Sequence, residues 1–84
     1  MNNKHRKTLA DIFRNPLNGA LEWARIENLL SNIGCDVIEG AGSQVSFCKA
    51  GQVLNVHRPH PQKEALRYRV KSVRDFLVLI GEAP

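Results

Sequence analysis

The chain carries three imidazoles, His5, His57 and His60, and two of them fall in the segment His57-Arg58-Pro59-His60-Pro61. Histidine ionises at about pH 6.5 when unperturbed, so it can take and return a proton near neutrality. His57 and His60 are therefore candidates for acid–base work or for contact with a phosphate. The competing reading is structural. Loop histidines that pack on Pro59 or Pro61 hold a turn, and three histidines in a small basic domain need no special cause. His5 lies in an N-terminal stretch expected to fray and is read as inert. A metal site from His57 and His60 with Cys35 or Cys48 fits no trusted zinc spacing, and Pro59 stiffens the backbone between the two imidazoles. Neither metal nor cofactor is expected.

The second group is cationic. Lys49, Arg58, Lys63, Arg67, Arg69, Lys71 and Arg74 form the basic set beyond the first helices. Arg67, Lys71 and Arg74 repeat at i, i+4 and i+7, which is one face of a helix. Such a stripe can grip successive phosphates of A-form RNA. Read blandly, it is a solvated face, or one that docks an acidic protein. Over the whole chain, 12 Lys and Arg oppose 8 Asp and Glu, for a net charge of +4. That excess favours a polyanion, most simply nucleic acid.

Length and composition bound the rest. At 84 residues the chain holds one small domain and not two. Hydrophobic residues are 43% and charged residues 24%, a globular composition. No apolar run approaches the roughly 18–20 residues of a membrane span. The basic start, Met1 to Lys7, lacks the apolar run of a signal peptide, so a cytoplasmic protein without a membrane partner is expected. In that compartment Cys35 and Cys48 are expected to be reduced and partly buried.

These groups need elements to position them. Leu9, Ile12 and Phe13 predict a short helix over 8–13, starting as early as Lys4. Pro16 and the Asn18-Gly19 pair stop it. Trp23, Ile26, Leu29, Leu30 and Ile33 make one apolar stripe over 21–33, closed by Gly34. The period then changes to two. Strands are predicted over 36–39, 43–49 and 53–58, joined by Gly40-Ala41-Gly42 and by Ala50-Gly51-Gln52. Val45 and Phe47 face one side of the sheet, and Gln44, Ser46 and Cys48 the other. A last helix over 64–80 turns Leu66, Val70, Val73, Leu77 and Ile80 inward, and Gly81 caps it. Trp23 and Phe47 are read as core, not as base-stacking platforms. The order (α)-α-β-β-β-α gives an α+β domain: a three-stranded antiparallel sheet with helices on one face and the other face open. Double-stranded-RNA-binding domains use this order. The domain is read as a single unit over 1–84, with an N-terminal extension helix and turn over 1–19 and a core over 20–81.

Several stretches now converge. They are Trp23-Ala24-Arg25-Ile26-Glu27-Asn28-Leu29-Leu30 leading to Gly34, Glu39-Gly40-Ala41-Gly42-Ser43-Gln44-Val45-Ser46-Phe47, His57-Arg58-Pro59-His60-Pro61-Gln62-Lys63-Glu64, and Val70-Lys71-Ser72-Val73-Arg74-Asp75-Phe76-Leu77. In this order they resemble the HicA family of bacterial toxin–antitoxin systems, in a form with an extra N-terminal helix. The resemblance covers about 8–81. It implies a double-stranded-RNA-binding-like toxin that cleaves mRNA without a metal and is inhibited by a HicB-type antitoxin. The free toxin is expected to be a monomer.

One departure stands out. The family's motif at the start of the second strand is Gly-Ser-His, and its histidine is catalytic. Here the motif reads Gly42-Ser43-Gln44. A glutamine amide can hydrogen-bond a phosphate or a 2′-hydroxyl, but it does not titrate. Three readings stay open: an inactive member that still binds RNA or antitoxin, a member in which His57 or His60 substitutes, or a residue changed to make a toxic protein expressible. The expected RNA-contacting residues are Gly42, Ser43, Lys49, Arg58, Lys63, Arg67, Lys71 and Arg74. Lys63 and Arg58 are the first choices for stabilising phosphate charge. The competing class is a non-catalytic RNA-binding regulatory module of the same fold.

Overall fold

The computed structural model describes all 84 residues. Helix α1 spans Asn3–Ile12, α2 Trp23–Asn32 and α3 Arg67–Leu79, with strands β1 Asp36–Glu39, β2 Gln44–Lys49 and β3 Gln52–His57 between the last two helices. The strands pair antiparallel in the order β1-β2-β3. The architecture is α+β, as the change of hydrophobic period predicts, and it matches the expected double-stranded-RNA-binding-like order.

Register decides which residues share a face, because directly opposed residues point the same way. Val37 opposes Phe47, which opposes Leu54, and Val45 opposes Val56. Phe47, Leu54, Val45 and Val56 are buried and form the floor of the core. Trp23 of α2 meets Phe47 edge-on, with ring centroids 6.4 Å apart. Ile26, Leu29 and Leu30 of α2, and Val70, Val73, Phe76 and Leu77 of α3, complete that core. The opposite face carries three rows: Asp36, Cys48 and Val53; Ile38, Ser46 and Asn55; Gln44 and His57. None of these is buried. The sheet is therefore covered on one side only.

Glycine ends α2 and α3 in the same way. Gly34 and Gly81 have φ of +95° and +77°, a region that costs a Cβ-bearing residue energy. After α2, Cys35 N–H donates to Leu30 O and Gly34 N–H to Ser31 O; after α3, Glu82 N–H donates to Leu77 O and Gly81 N–H to Val78 O. Both are Schellman closures, and they satisfy carbonyls that a helix end otherwise leaves orphaned.

Two expectations fail at the start of α3. The helix begins at Arg67, not at residue 64, and Leu66 points outward, with Ala65 buried in its place. The cause is a backbone pairing that helical periodicity does not reveal. Glu22 and Glu64 form an isolated bridge; Ala65 N–H donates to Leu21 O and Trp23 N–H to Lys63 O. Leu66, at φ 69° and ψ 156°, turns the chain out of this bridge into α3.

Helix α1 packs against both α2 and α3. Thr8 and Ile12 are buried, and Leu9 and Phe13 pack against the core. Two arginines fasten its C-terminal end. Arg25 reaches Asp11 at 3.0 Å. Arg74 donates to Ile12 O at 3.0 Å, to Arg14 O at 2.5 Å and to Asn15 Oδ1 at 3.1 Å. Its guanidinium also lies over the Phe13 ring.

The two thiols are unpaired and differ in burial. Burial pushes the Cys35 thiol pKa up, against the smaller opposing effect of Lys49. Thiolate is the reactive form. A thiol reagent under native conditions is thus expected to modify Cys48 first, and Cys35 only as the protein unfolds. Equal rates for the two would contradict this packing. Because the folded thiol ionises at higher pH than the unfolded one, the stability tied to Cys35 is complete at neutral pH and is lost as pH rises past the unfolded thiol's pKa.

Candidate functional site

The bend between β1 and β2 brings the expected residues to one end of the sheet. Gly40 N–H donates to Gln44 O at 2.8 Å, and Gln44 N–H to Ala41 O at 3.1 Å. A Cβ on Gly40 would meet the Cβ and Cγ of Gln44 at 3.1 and 3.2 Å, so a bulkier residue at position 40 would displace the Gln44 side chain. Gly42 sits at the tip, with open space beside it. From there Gln44 starts β2 directly opposite His57, the last residue of β3. Both are exposed on the open face. Paired residues of adjacent strands hold their Cβ atoms about 4.5–5.5 Å apart, so the amide and the imidazole can touch one ligand. Ser43 Oγ lies 3.4 Å from His57 Nδ1. His57 is thus placed beside Gln44, as pairing of the two strands predicts.

The cations around this end differ greatly in availability. Arg58 follows His57, and its backbone N–H donates to Ser43 O at 2.9 Å. Its guanidinium is fully engaged. It bonds Glu27 at 2.6 and 3.1 Å and Glu39 at 2.6 and 2.9 Å, two-pronged in both cases. Glu27 also accepts the Trp23 indole N–H. Hydrogen bonds donated to Glu39 and Glu27 push the Arg58 pKa still higher, and the Arg58 contact holds Glu39 below the usual carboxylate range. A depressed carboxylate pKa has a definite sign. The pairing contributes above the unfolded carboxylate's pKa and is lost as pH falls through the folded one. In this structure Arg58 is a strut that ties β3, β1 and α2 together, and a phosphate would have to displace a carboxylate to reach it.

The other expected contacts divide sharply. Lys49 lies at the far end of β2 from Gln44, donates to Ile33 O and pairs with Glu82 at 3.4 Å. Lys71 pairs with Asp75 on the surface of α3. Arg74 is the clip on α1 described above. The proposed stripe Arg67-Lys71-Arg74 therefore retains one free member, Arg67. Lys63 and Arg67 are exposed and take part in no ion pair. Lys63 borders an open groove of about 430 Å³, together with Trp23, Glu27, Asn28, Arg58 and Gln62. His60 is exposed in the proline loop, outside the Gln44–His57 pair.

Sequence reasoning assigned no role to Glu27, Glu39 or Arg69. Arg69 is 8% exposed, and its guanidinium donates to His57 O at 2.7 Å and to Ala65 O at 3.2 Å. Arg58 N–H points at β2, so the carbonyl of the preceding His57 points to the free edge of β3. Arg69 takes it there and locks the end of the strand that presents His57. The only sequence signal for Arg69 is its place four residues before Val73 and seven before Phe76, on the inward face of the helix.

The arrangement brings one imidazole and one amide together on the open face of the sheet, and it leaves Lys63 and Arg67 as exposed cations outside any ion pair. No curated protein and no solved structure matches the chain. A family model described as the HicA toxin of bacterial toxin-antitoxin matches residues 23–79, which covers α2, all three strands and α3. With its fold and more than half of its length accounted for by that model, the chain belongs to the HicA toxin family.

Proposed function

We propose that this chain is the toxin of a type II toxin–antitoxin pair, that it binds and cleaves mRNA in the cytoplasm as a monomer, and that a HicB-type antitoxin neutralises it. The observation that carries the reading is the Gln44–His57 row on the uncovered sheet face, with Lys63 and Arg67 as exposed cations outside any ion pair. Cleaving RNA without a metal requires a base to take the 2′-hydroxyl proton, attack of the 2′-oxygen on phosphorus, and an acid to protonate the leaving 5′-oxygen. His57 supplies one imidazole for this sequence. Gln44, at the family's histidine position, can hold a phosphate oxygen or the 2′-hydroxyl but transfers no proton. One of the two proton transfers is therefore left to solvent, and the predicted activity is attenuated. The second reading, a non-catalytic RNA-binding regulatory module, draws on the same glutamine. It is separated from the first by whether bound RNA is cut.

Salt tests the RNA step. Phosphate contacts make affinity fall with salt, with a slope of about 0.7 per contact for single strands. Lys63→Ala and Arg67→Ala should each flatten that slope by about one contact. Arg74→Ala should instead lower stability and leave the slope alone, because its guanidinium already serves α1. A flat salt response of the unaltered protein removes RNA as the partner. Co-purification with an acidic protein encoded next to it tests the antitoxin step.

A further inference from the structure

Of the five aromatic rings, four are in or against the core. Trp23, Phe47 and Phe76 are buried, and Phe13 packs beneath Arg74. Tyr68 is the exception, at 62% exposed. Its ring is nonetheless held in place. The Arg69 guanidinium stacks on it, 4.6 Å from the ring centroid. Arg69 is itself buried and pinned by His57 O and Ala65 O. An unbroken set of contacts thus runs from the Tyr68 ring through Arg69 to the backbone of His57. With Arg69 on one face of the ring, the exposed area leaves the other open to a ligand. Arg67 precedes it, and Lys63 stands four residues further back. Both are exposed and take part in no ion pair.

We propose that the open face of Tyr68 is a stacking platform for an unpaired nucleobase of the strand that lies across Gln44 and His57, with purines favoured by their larger ring. The inference rests on the RNA reading above and adds to it the form of the substrate. Base–aromatic stacking needs only a rigid ring with one face free, and it tolerates any base. A duplex hides the faces of its bases, so the platform selects single-stranded or looped RNA. The bracing by Arg69 fixes the ring before the ligand arrives, which reduces the ordering cost of binding.

The probe is a single-stranded oligoribonucleotide carrying one 2-aminopurine, whose fluorescence is quenched on stacking. It is titrated with the unaltered protein, Tyr68→Phe and Tyr68→Ala. A duplex of the same sequence serves as the control. Unaltered protein and Tyr68→Phe should quench alike. Tyr68→Ala should lose the quench and bind the single strand about 5- to 150-fold more weakly, with duplex binding unchanged. Because Tyr68 is exposed, the alanine variant should melt as the unaltered protein does. Undiminished quenching by Tyr68→Ala overturns the platform and leaves the RNA reading standing. A Tyr68→Phe as weak as the alanine variant also overturns stacking, since the hydroxyl would then be the contact. No binding of either RNA by unaltered protein overturns both readings.

Discussion

Deletion of residues 1–19 is expected to abolish cooperative folding at 25 °C, although the family match begins only at Trp23. The ground is burial. Ile12 is 0% exposed and Thr8 1%, and Leu9, Phe13 and Leu17 pack against the core. Truncating one buried isoleucine to alanine typically costs about 2–5 kcal/mol. A domain of this size holds about 5–10 kcal/mol in total. Removing the whole segment strips Ile12 and its neighbours at once. It also leaves Arg74 without its three acceptors and Arg25 without Asp11. Charge-assisted hydrogen bonds are worth about 1.5–3 kcal/mol each, and the loss is felt most where the guanidinium stays partly buried. Ile12→Ala in the full chain should still fold, at a cost of about 2–5 kcal/mol in a denaturant titration. A truncated chain that keeps its near-ultraviolet circular dichroism and a sigmoidal melt would show that α1 is a dispensable appendage.

The same region shows what a sequence can and cannot disclose. Period shows the elements: the stripe from Trp23 to Ile33 and the alternation from Ser43 to Lys49 each point to one conformation, and β1 falls on the predicted residues 36–39. Pairing of β2 with β3 follows from the short Ala50-Gly51 turn, and it puts His57 opposite Gln44. The destinations of long cationic side chains are different. Arg74 lies at helical spacing from Arg67 and Lys71, yet its partners are backbone carbonyls about sixty residues earlier, at Ile12 and Arg14. Arg58 is read as a phosphate contact from its place beside His57, but its carboxylates come from α2 and β1. Every residue has a backbone carbonyl, so no side-chain pattern marks which ones will need a donor. The early start expected for α3 fails for a related reason. Helical periodicity of Leu66 and Val70 competes with backbone hydrogen bonds that Ala65 and Leu66 donate to the carbonyls of Leu21 and Gly19, and the long-range pairing wins.

These engagements also redistribute the net charge. Of the cations outside α1, the strut Arg58, the clip Arg74 and the lock Arg69 spend their donors inside the fold. The field available to a polyanion is accordingly narrower than a charge of +4 suggests. Outside α1 it comes chiefly from Lys63 and Arg67, which are exposed and take part in no ion pair. In α1 it comes from Lys4, Arg6 and Lys7, in a helix whose first turn has no acidic residue to balance them. The positive end of the helix dipole adds to that charge. Selectivity among polyanions must then come from the few groups at the Gln44 end of the sheet and not from the basic surface as a whole.

Gln44→His should raise RNA cleavage about 10²- to 10⁴-fold, the usual contribution of general acid–base catalysis. The register makes the argument. Position 44 faces His57 on an exposed row, so a histidine there creates two imidazoles within reach of one phosphate. Two neighbouring imidazoles repel when both are charged and therefore lose their protons in separate steps. Between those steps one is an acid and the other a base, which is the state that RNA transesterification needs. The rate should accordingly follow a bell-shaped pH profile in the variant, and adding His57→Ala should cancel the gain. Stability should change by less than about 0.5 kcal/mol, because the site is exposed and Gly40, having no Cβ, does not crowd the Cβ and Cγ that both side chains share. A folded Gln44→His protein that binds RNA as before and cuts it no faster would remove position 44 from the chemistry. The same protein with a faster rate that survives His57→Ala would keep position 44 and assign the second proton transfer elsewhere, with His60 the next imidazole to replace.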